Sequence, residues 1–248
     1  MKRRGIQTLL IGALFCLKSP MMAQASTIGG GLGLDSSPEG LTSTLQLLIF
    51  LTFLTFLPAI VLTMTSFTRI TIIFSMLRNG LGTQSTPPNQ VLIGLALFLT
   101  FFIMAPVVSE IKTEAVDPYI EHQINEDVFL SKVQAPMRSF LLDHTRTKDL
   151  ELFVEISGIG TVQSPEEVPF HVIVPAFIIS ELKTAFEIGF LIYLPFVVID
   201  LVVSSVLMSM GMMMLPPTMI ALPFKVLLFV MVDGWHLIVE SIVKSFVR

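Results

Sequence analysis

Five charged side chains lie in or next to apolar stretches of the sequence, and they are its first candidates for chemistry: Glu181, Lys183, Glu187, Asp200 and Lys225. A charge at the centre of a bilayer costs a few kcal/mol, so each should face protein or water and have a partner. A turn near Leu215 would leave Lys225 about 7–8 Å along the helix axis from the level of Asp200. This spacing allows a packing salt bridge, an ion pair between subunits, or a proton relay.

The same residues could in principle serve an intramembrane enzyme as paired carboxylates. Asp200 and Glu187 are 13 positions apart, which places them about 140° apart around a helix, so they cannot readily share a site. Lys183 and Glu187 are four positions apart and lie on one helical face. With Glu181, they are interpreted as assembly contacts.

Standard catalytic and cofactor motifs are absent from the sequence. It contains no HExxH, no GxSxG and no GxxxxGK[ST] pattern, the arrangements that hold zinc, a serine nucleophile or a nucleotide. The four histidines show no ligand spacing: His122, His144, His171 and His236. We therefore expect neither an enzyme nor a bound cofactor or metal.

Methionine is concentrated in one short segment. Six of the 14 methionines fall within 12 residues: Met208, Met210, Met212, Met213, Met214 and Met219. Three are consecutive and precede Pro216-Pro217, so no single helical face could bury them all. Methionine fills irregular gaps, and hydrophobic constrictions can gate a channel. The cluster is either an apolar turn in lipid or, with copies from several subunits, a seal around a pore. An ion channel is a further alternative.

The composition is that of a membrane protein. Charged residues make up only 14% of the chain and hydrophobic residues 53%, whereas a soluble domain carries about 25% charged residues. The mean hydropathy is +0.81. The net charge of −4, with no basic patch beyond the first residues, gives no basis for nucleic-acid binding.

The first 25 residues predict a cleavable export signal. A basic start (Lys2, Arg3, Arg4) precedes the apolar run 5–17, and Ala23-Gln24-Ala25 supplies a small–x–small cleavage pattern. Cleavage would remove Cys16, the single cysteine, and so exclude a disulfide or thiolate site from the mature chain.

Four apolar runs follow, at 45–62, 91–108, 188–207 and 219–232. The connection between the first two contains Arg69 and Arg78 and no acid, which predicts a cytoplasmic position. Between the second and third, residues 109–183 contain 13 Asp or Glu and 6 Lys or Arg. This segment is predicted to be a water-exposed insertion on the outer face.

The expected fold is an all-α membrane protein with four apolar helices in two hairpins and an external, mostly helical acidic insertion. The predicted segments are a signal peptide (1–25), a flexible external linker (26–43), a first hairpin (44–108), a periplasmic insertion (109–184), a second hairpin with the methionine-rich turn (185–240) and a C-terminal tail (241–248).

Three long stretches give the chain a specific resemblance. Residues 175–190, 216–235 and 64–90 contain, in turn, PAFIISELKTAFEIGF, PP…LPFK…VDGW and MTSFTR…LRN…GTQ…PPNQ. These three stretches resemble the signatures of the FliP family of type III export proteins. Together they cover nearly all of the predicted mature chain.

The resemblance implies a pore-forming structural subunit of the flagellar export gate, which passes unfolded flagellar subunits across the inner membrane. It implies a homo-oligomer assembled with FliQ and FliR, near FlhB and FlhA, in the basal body and partly periplasmic. It also implies that Met212, Met213 and Met214, with Met210, line a constriction, and that the buried charges pair across subunits. The family's helices pack into an assembly raised largely out of the bilayer, so the apolar runs need not be simple spans. The equivalent subunit of a virulence secretion system is the alternative.

Overall fold

The computed structural model describes residues 38–83, 85–160, 164–212 and 214–246, with side chains from Leu45 onward except Phe53. The predicted signal peptide and most of the predicted linker lie outside the described residues. Within them the chain forms helices and turns and no strand, which confirms the all-α prediction. The helices are α1 (Pro38–Met64), α2 (Phe67–Leu81), α3 (Asn89–Ile111), α4 (Asp117–Ile120), α5 (Glu126–His144), α6 (Thr147–Ser157), α7 (Phe170–Ser209), α8 (Pro217–Met231) and α9 (Gly234–Lys244), with a π-helical turn (Lys112–Val116) between α3 and α4 and a 3₁₀ turn (Pro165–Glu167) before α7.

Three described stretches are long and apolar enough to cross a membrane: Leu45–Met64, Asn89–Ile120 and Phe170–Ser209. Helices α8 and α9, bent by 65° at their junction, would together form a fourth. The 40 residues of α7 span about 60 Å, roughly twice the thickness of a hydrocarbon core. Part of α7 therefore extends beyond any bilayer that it crosses.

The chain divides into two compact units at Leu57, and the core lies in the second, Pro58–Arg248. In the first unit, α1 begins at Pro38, inside the predicted linker. Its large apolar side chains, including Phe50 and Phe56, are exposed.

Helix α2 is a largely buried helix of the second unit that packs along α7 and α3. Its apolar residues recur at helical spacing and are buried: Phe67, Ile70, Ile73, Phe74, Leu77 and Leu81. The helix ends at Gly82, whose φ of 76° is a left-handed conformation that glycine adopts without strain, and whose N–H donates to the Asn79 carbonyl. This segment, predicted to be a connection between two spans, is instead a helix that packs against α7 and α3.

Two glycines allow α2 and α7 to lie close together and parallel. Met76 of α2 packs against Gly189 of α7, so closely that a Cβ there would overlap the methionine sulfur. Further along, a Cβ on Gly80 would lie 2.8 Å from Cδ2 of Phe196. Because 76 contacts 189 and 80 contacts 196, the two helices run in the same direction. Helix α3 then packs along α2.

The helices of the predicted insertion pack on the N-terminal part of α7. Arg138 of α5 donates to the Val168 carbonyl and, at 2.9 Å, to the Glu166 carbonyl. Its guanidinium carbon lies 4.7 Å from the ring centroid of Phe170. These contacts fix the loop before α7, which begins at Phe170, inside the range predicted as insertion.

The structure shows that two of the predicted topology assignments are incompatible. Arg69 was counted as a cytoplasmic loop charge, but it is buried and bonded to Glu181, a residue of the predicted external insertion. Two bonded residues cannot lie on opposite sides of a bilayer about 30 Å thick, so the two assignments cannot both hold. The positive-inside bias applies to flanking loop charges, and Arg69 is not one.

The predicted C-terminal tail is part of the core. Helix α9 continues to Lys244, and Ile242 and Phe246 are buried. The end of the described chain therefore belongs to the packed unit.

Candidate functional site

Arg69 and Glu181 form a buried ion pair between α2 and α7. The Arg69 Nε donates to Glu181 Oε2 at 2.9 Å, and Nη2 donates to Oε1. The two side chains are 3% and 0% exposed. This two-bond geometry satisfies both carboxylate oxygens, which is the condition under which a buried pair compensates for its loss of water.

The remaining donor of Arg69 reaches the end of the described chain. Nη1 lies 3.0 Å from both the carbonyl oxygen and the hydroxyl of Ser245. The guanidinium carbon lies 3.7 Å from the ring centroid of Phe246, a cation–π arrangement. We call Arg69, Glu181, Ser245 and Phe246 the Arg69 cluster; it joins α2, α7 and the segment after α9.

Lys225 and Asp200 form a second ion pair at the other end of α2. The Lys225 Nζ donates to Asp200 Oδ2 at 2.6 Å and to the Gly80 carbonyl at 3.0 Å. Gly80 belongs to the last turn of α2, where a cation stabilises unpaired carbonyls and the helix dipole. We call Lys225, Asp200 and Gly80 the Lys225 cluster; it joins α8, α7 and α2.

The Lys225 cluster is less completely satisfied than the Arg69 cluster. The side chain of Lys225 is 5% exposed, but that of Asp200 is 28% exposed. The second oxygen, Asp200 Oδ1, is buried without a hydrogen-bond partner among the described residues. A buried acceptor without a partner is costly. Asp200 Oδ1 can therefore accept one more hydrogen bond.

The structure thus brings together two of the predicted charge pairs within one chain. Asp200 pairs with Lys225, and Lys183 pairs with Glu187 on the surface, where they are 46% and 58% exposed. Glu181 faces inward, to Arg69. Sequence reasoning missed Arg69, although its place one position before Ile70 and four before Ile73 puts it beside the apolar face of α2.

The methionine-rich segment forms the turn between α7 and α8. Met210, Met212 and Met214 are 62%, 37% and 97% exposed. Met213, the fourth predicted gate residue, lies outside the described residues. The φ of 75° at Gly211 breaks the helix within this segment. Next to the turn, α7 and α8 form an open apolar groove of about 490 Å³, lined in part by Val202, Val206, Ile220 and Phe224.

The two clusters can form ion pairs, and the methionine turn and the groove present apolar surface. No group of three or more His, Cys, Asp or Glu among the described residues could hold a metal ion. Asp200 and Glu187, the proposed carboxylate pair of an intramembrane enzyme, each bind a different lysine.

Comparison with known proteins gives consistent results. The model of the FliP family matches residues 50–242. A flagellar biosynthetic protein FliP of Bacillus subtilis (strain 168) is 57% identical over 211 residues, covering 85% of this chain and 96% of the relative. The protein of that name from Pectobacterium carotovorum subsp. carotovorum is 54% identical, covering 86% and 83%. The one from Caulobacter vibrioides is 45% identical over 248 residues, covering 99% and 92%.

Proposed function

Because this chain belongs to the FliP family, and is therefore a membrane-integral component of the flagellar export apparatus, we propose that it is a pore-forming subunit of the export gate. Unfolded flagellar subunits would pass through a channel built from several copies across the bacterial inner membrane. The complex would belong to the basal body and be partly periplasmic. Its partners would be FliQ and FliR, with FlhB and FlhA nearby.

The exposed methionine turn is the observation that carries this proposal. Met214 is 97% exposed at the end of a long helix, which is costly for a large apolar side chain in water. Flexible methionines from several copies could close on one another and yield to a passing chain. Met210, Met212, Met213 and Met214 are the proposed gate.

Extensive apolar surface supports assembly with other copies. On α7 alone, exposed apolar residues extend from Phe186 to Met208, and large patches of this kind mark contacts with other proteins or with the membrane. The surface pair Lys183–Glu187 lies at the start of this stretch. We assign this pair and the Lys225 cluster to assembly contacts, with Glu181 supporting them from within the chain.

The proposal is tested by deleting residues 212–214 and measuring membrane conductance, export and complex assembly in cells. If the methionines are the seal, the complex still assembles but the inner membrane leaks small ions. A control is Met231→Ala on α8, another exposed methionine (76%) away from the turn, which should leave the membrane tight. A deletion complex that assembles and does not leak would refute the gate.

The equivalent subunit of a virulence secretion system is the second candidate. Deleting the whole gene separates the two, because the flagellar role predicts loss of motility and the other predicts loss of effector secretion. The homologues named flagellar favour the first.

A further inference from the structure

We propose that His144 is a proton-dependent clasp that holds residues 245–246 against the Arg69 cluster. His144 is the last residue of α5 and contacts the segment that follows α9. The proposal concerns the fold of one chain and does not depend on the export role.

The hydrogen-bond geometry of the ring carries the inference. Its Nδ1 lies 2.8 Å from the Phe140 carbonyl oxygen, and its Nε2 lies 3.4 Å from the Phe246 carbonyl oxygen. A carbonyl oxygen only accepts, so each ring nitrogen must donate. A neutral imidazole has one N–H, whereas the imidazolium has two. Both bonds therefore exist together only when the ring is protonated.

Two aromatic rings and a helix end surround the imidazole. Its centroid lies 4.6 Å from that of Phe140 and 5.1 Å from that of Phe246, and aromatic rings attract a cation nearby. A positive charge at the C-terminal end of α5 also interacts favourably with the helix dipole. The side chain is only partly buried, so protons can reach it.

Charged groups lie near the ring on α2, α5, α7 and α9. From α2, the Arg69 cation lies on the ring of Phe246, but the Glu181 carboxylate of α7 already pairs with it. On α5 itself, Asp143 is the adjacent residue. From α9, Lys244 is paired with Glu240 on the surface.

Deprotonation would remove one of the two bonds. Nδ1 has the shorter contact, and its partner lies in the same helix, so the proton that remains stays on Nδ1. The lost bond is then the one to Phe246. The segment would stay tethered by Arg69 and become easier to open.

Hydrogen exchange of the full-length protein in detergent tests the clasp. Protection of the peptide covering 238–246, corrected for the intrinsic pH dependence of exchange, is followed between about pH 5 and pH 8, where imidazoles titrate. We expect protection to fall roughly threefold to tenfold as the pH rises, the effect of one hydrogen bond. In His144→Gln, which never carries a charge, this fall in protection with rising pH should be absent.

The matched control is His171→Gln, which removes an exposed histidine from the first turn of α7 and should keep the wild-type response. Equal pH dependence in wild type and His144→Gln would overturn the proposal, as would no pH dependence in wild type. If His144→Gln does not fold, nitrogen NMR of the ring in the wild-type protein decides: deprotonation must coincide with the loss of protection, and a titration without it refutes the clasp.

Discussion

An ion pair holds each end of α2, but the two pairs differ in how many of their carboxylate oxygens are hydrogen-bonded. At each end an acid of α7 pairs with a base, and the base also binds a backbone carbonyl. The ion pair of the Arg69 cluster is buried and both of its carboxylate oxygens are bonded, whereas Asp200 is partly exposed and has one oxygen without a partner among the described residues. The Arg69 cluster is suited to fixing one packing of the chain, and the Lys225 cluster can accept another donor.

The largest expected effect comes from breaking the Arg69 cluster with Glu181→Gln. The substitution leaves a buried guanidinium without its counter-charge, which costs about 3–5 kcal/mol. The free energy of unfolding, measured with denaturant in detergent, should fall by that amount. Replacing both partners, as Arg69→Met with Glu181→Leu, should recover much of the loss, because a buried pair can be replaced by apolar groups. If Glu181→Gln is as stable as wild type, the Arg69 cluster is not the more important of the two clusters for the stability of the fold.

A smaller effect is expected from Asp200→Asn in the Lys225 cluster. Lys225 keeps its bond to the Gly80 carbonyl, and water can reach the partly exposed site, so the loss should be about 1–2 kcal/mol. Asp233→Asn is a suitable control, because Asp233 is exposed and its φ of 50° suits asparagine equally well. A loss as large as that of Glu181→Gln would show that the Lys225 cluster is just as essential to the fold.

The smallest effect on the isolated chain is expected from Lys183→Ala with Glu187→Ala. Exposed pairs four residues apart on a helix contribute about 0.3–0.5 kcal/mol. Unfolding should therefore change little, while the yield of the assembled complex, measured by size-exclusion chromatography, should fall if the pair is an assembly contact. Normal assembly would leave Lys183 and Glu187 as ordinary surface residues.

The sequence predicted the helical class and indicated that Asp200 and Lys225 each need a partner, because both depend on local signals; whether the two pair with each other within one chain was left open. A charge in an apolar helix requires a partner, and a short turn limits where that partner lies. The FliP resemblance was equally local, and the family match confirms it.

What the sequence analysis missed depended on contacts between distant residues. Arg69 and Glu181 are 112 positions apart, and nothing in a single sequence links them. The role of α2 was recoverable, since the spacing of Ile70, Phe74 and Leu77 is that of a buried helical face. Arg69 and Arg78 instead favoured a cytoplasmic loop, although Arg69 is buried.

The Arg69 cluster also has a consequence for synthesis of the protein. Glu181 is synthesised 112 positions after Arg69, and Ser245 is synthesised 176 positions after Arg69. At about 5–20 residues per second, the ribosome needs roughly 10–35 seconds to make that interval. For the first 112 of these positions Arg69 has none of its final partners, and the cluster is complete only after Ser245 has been made.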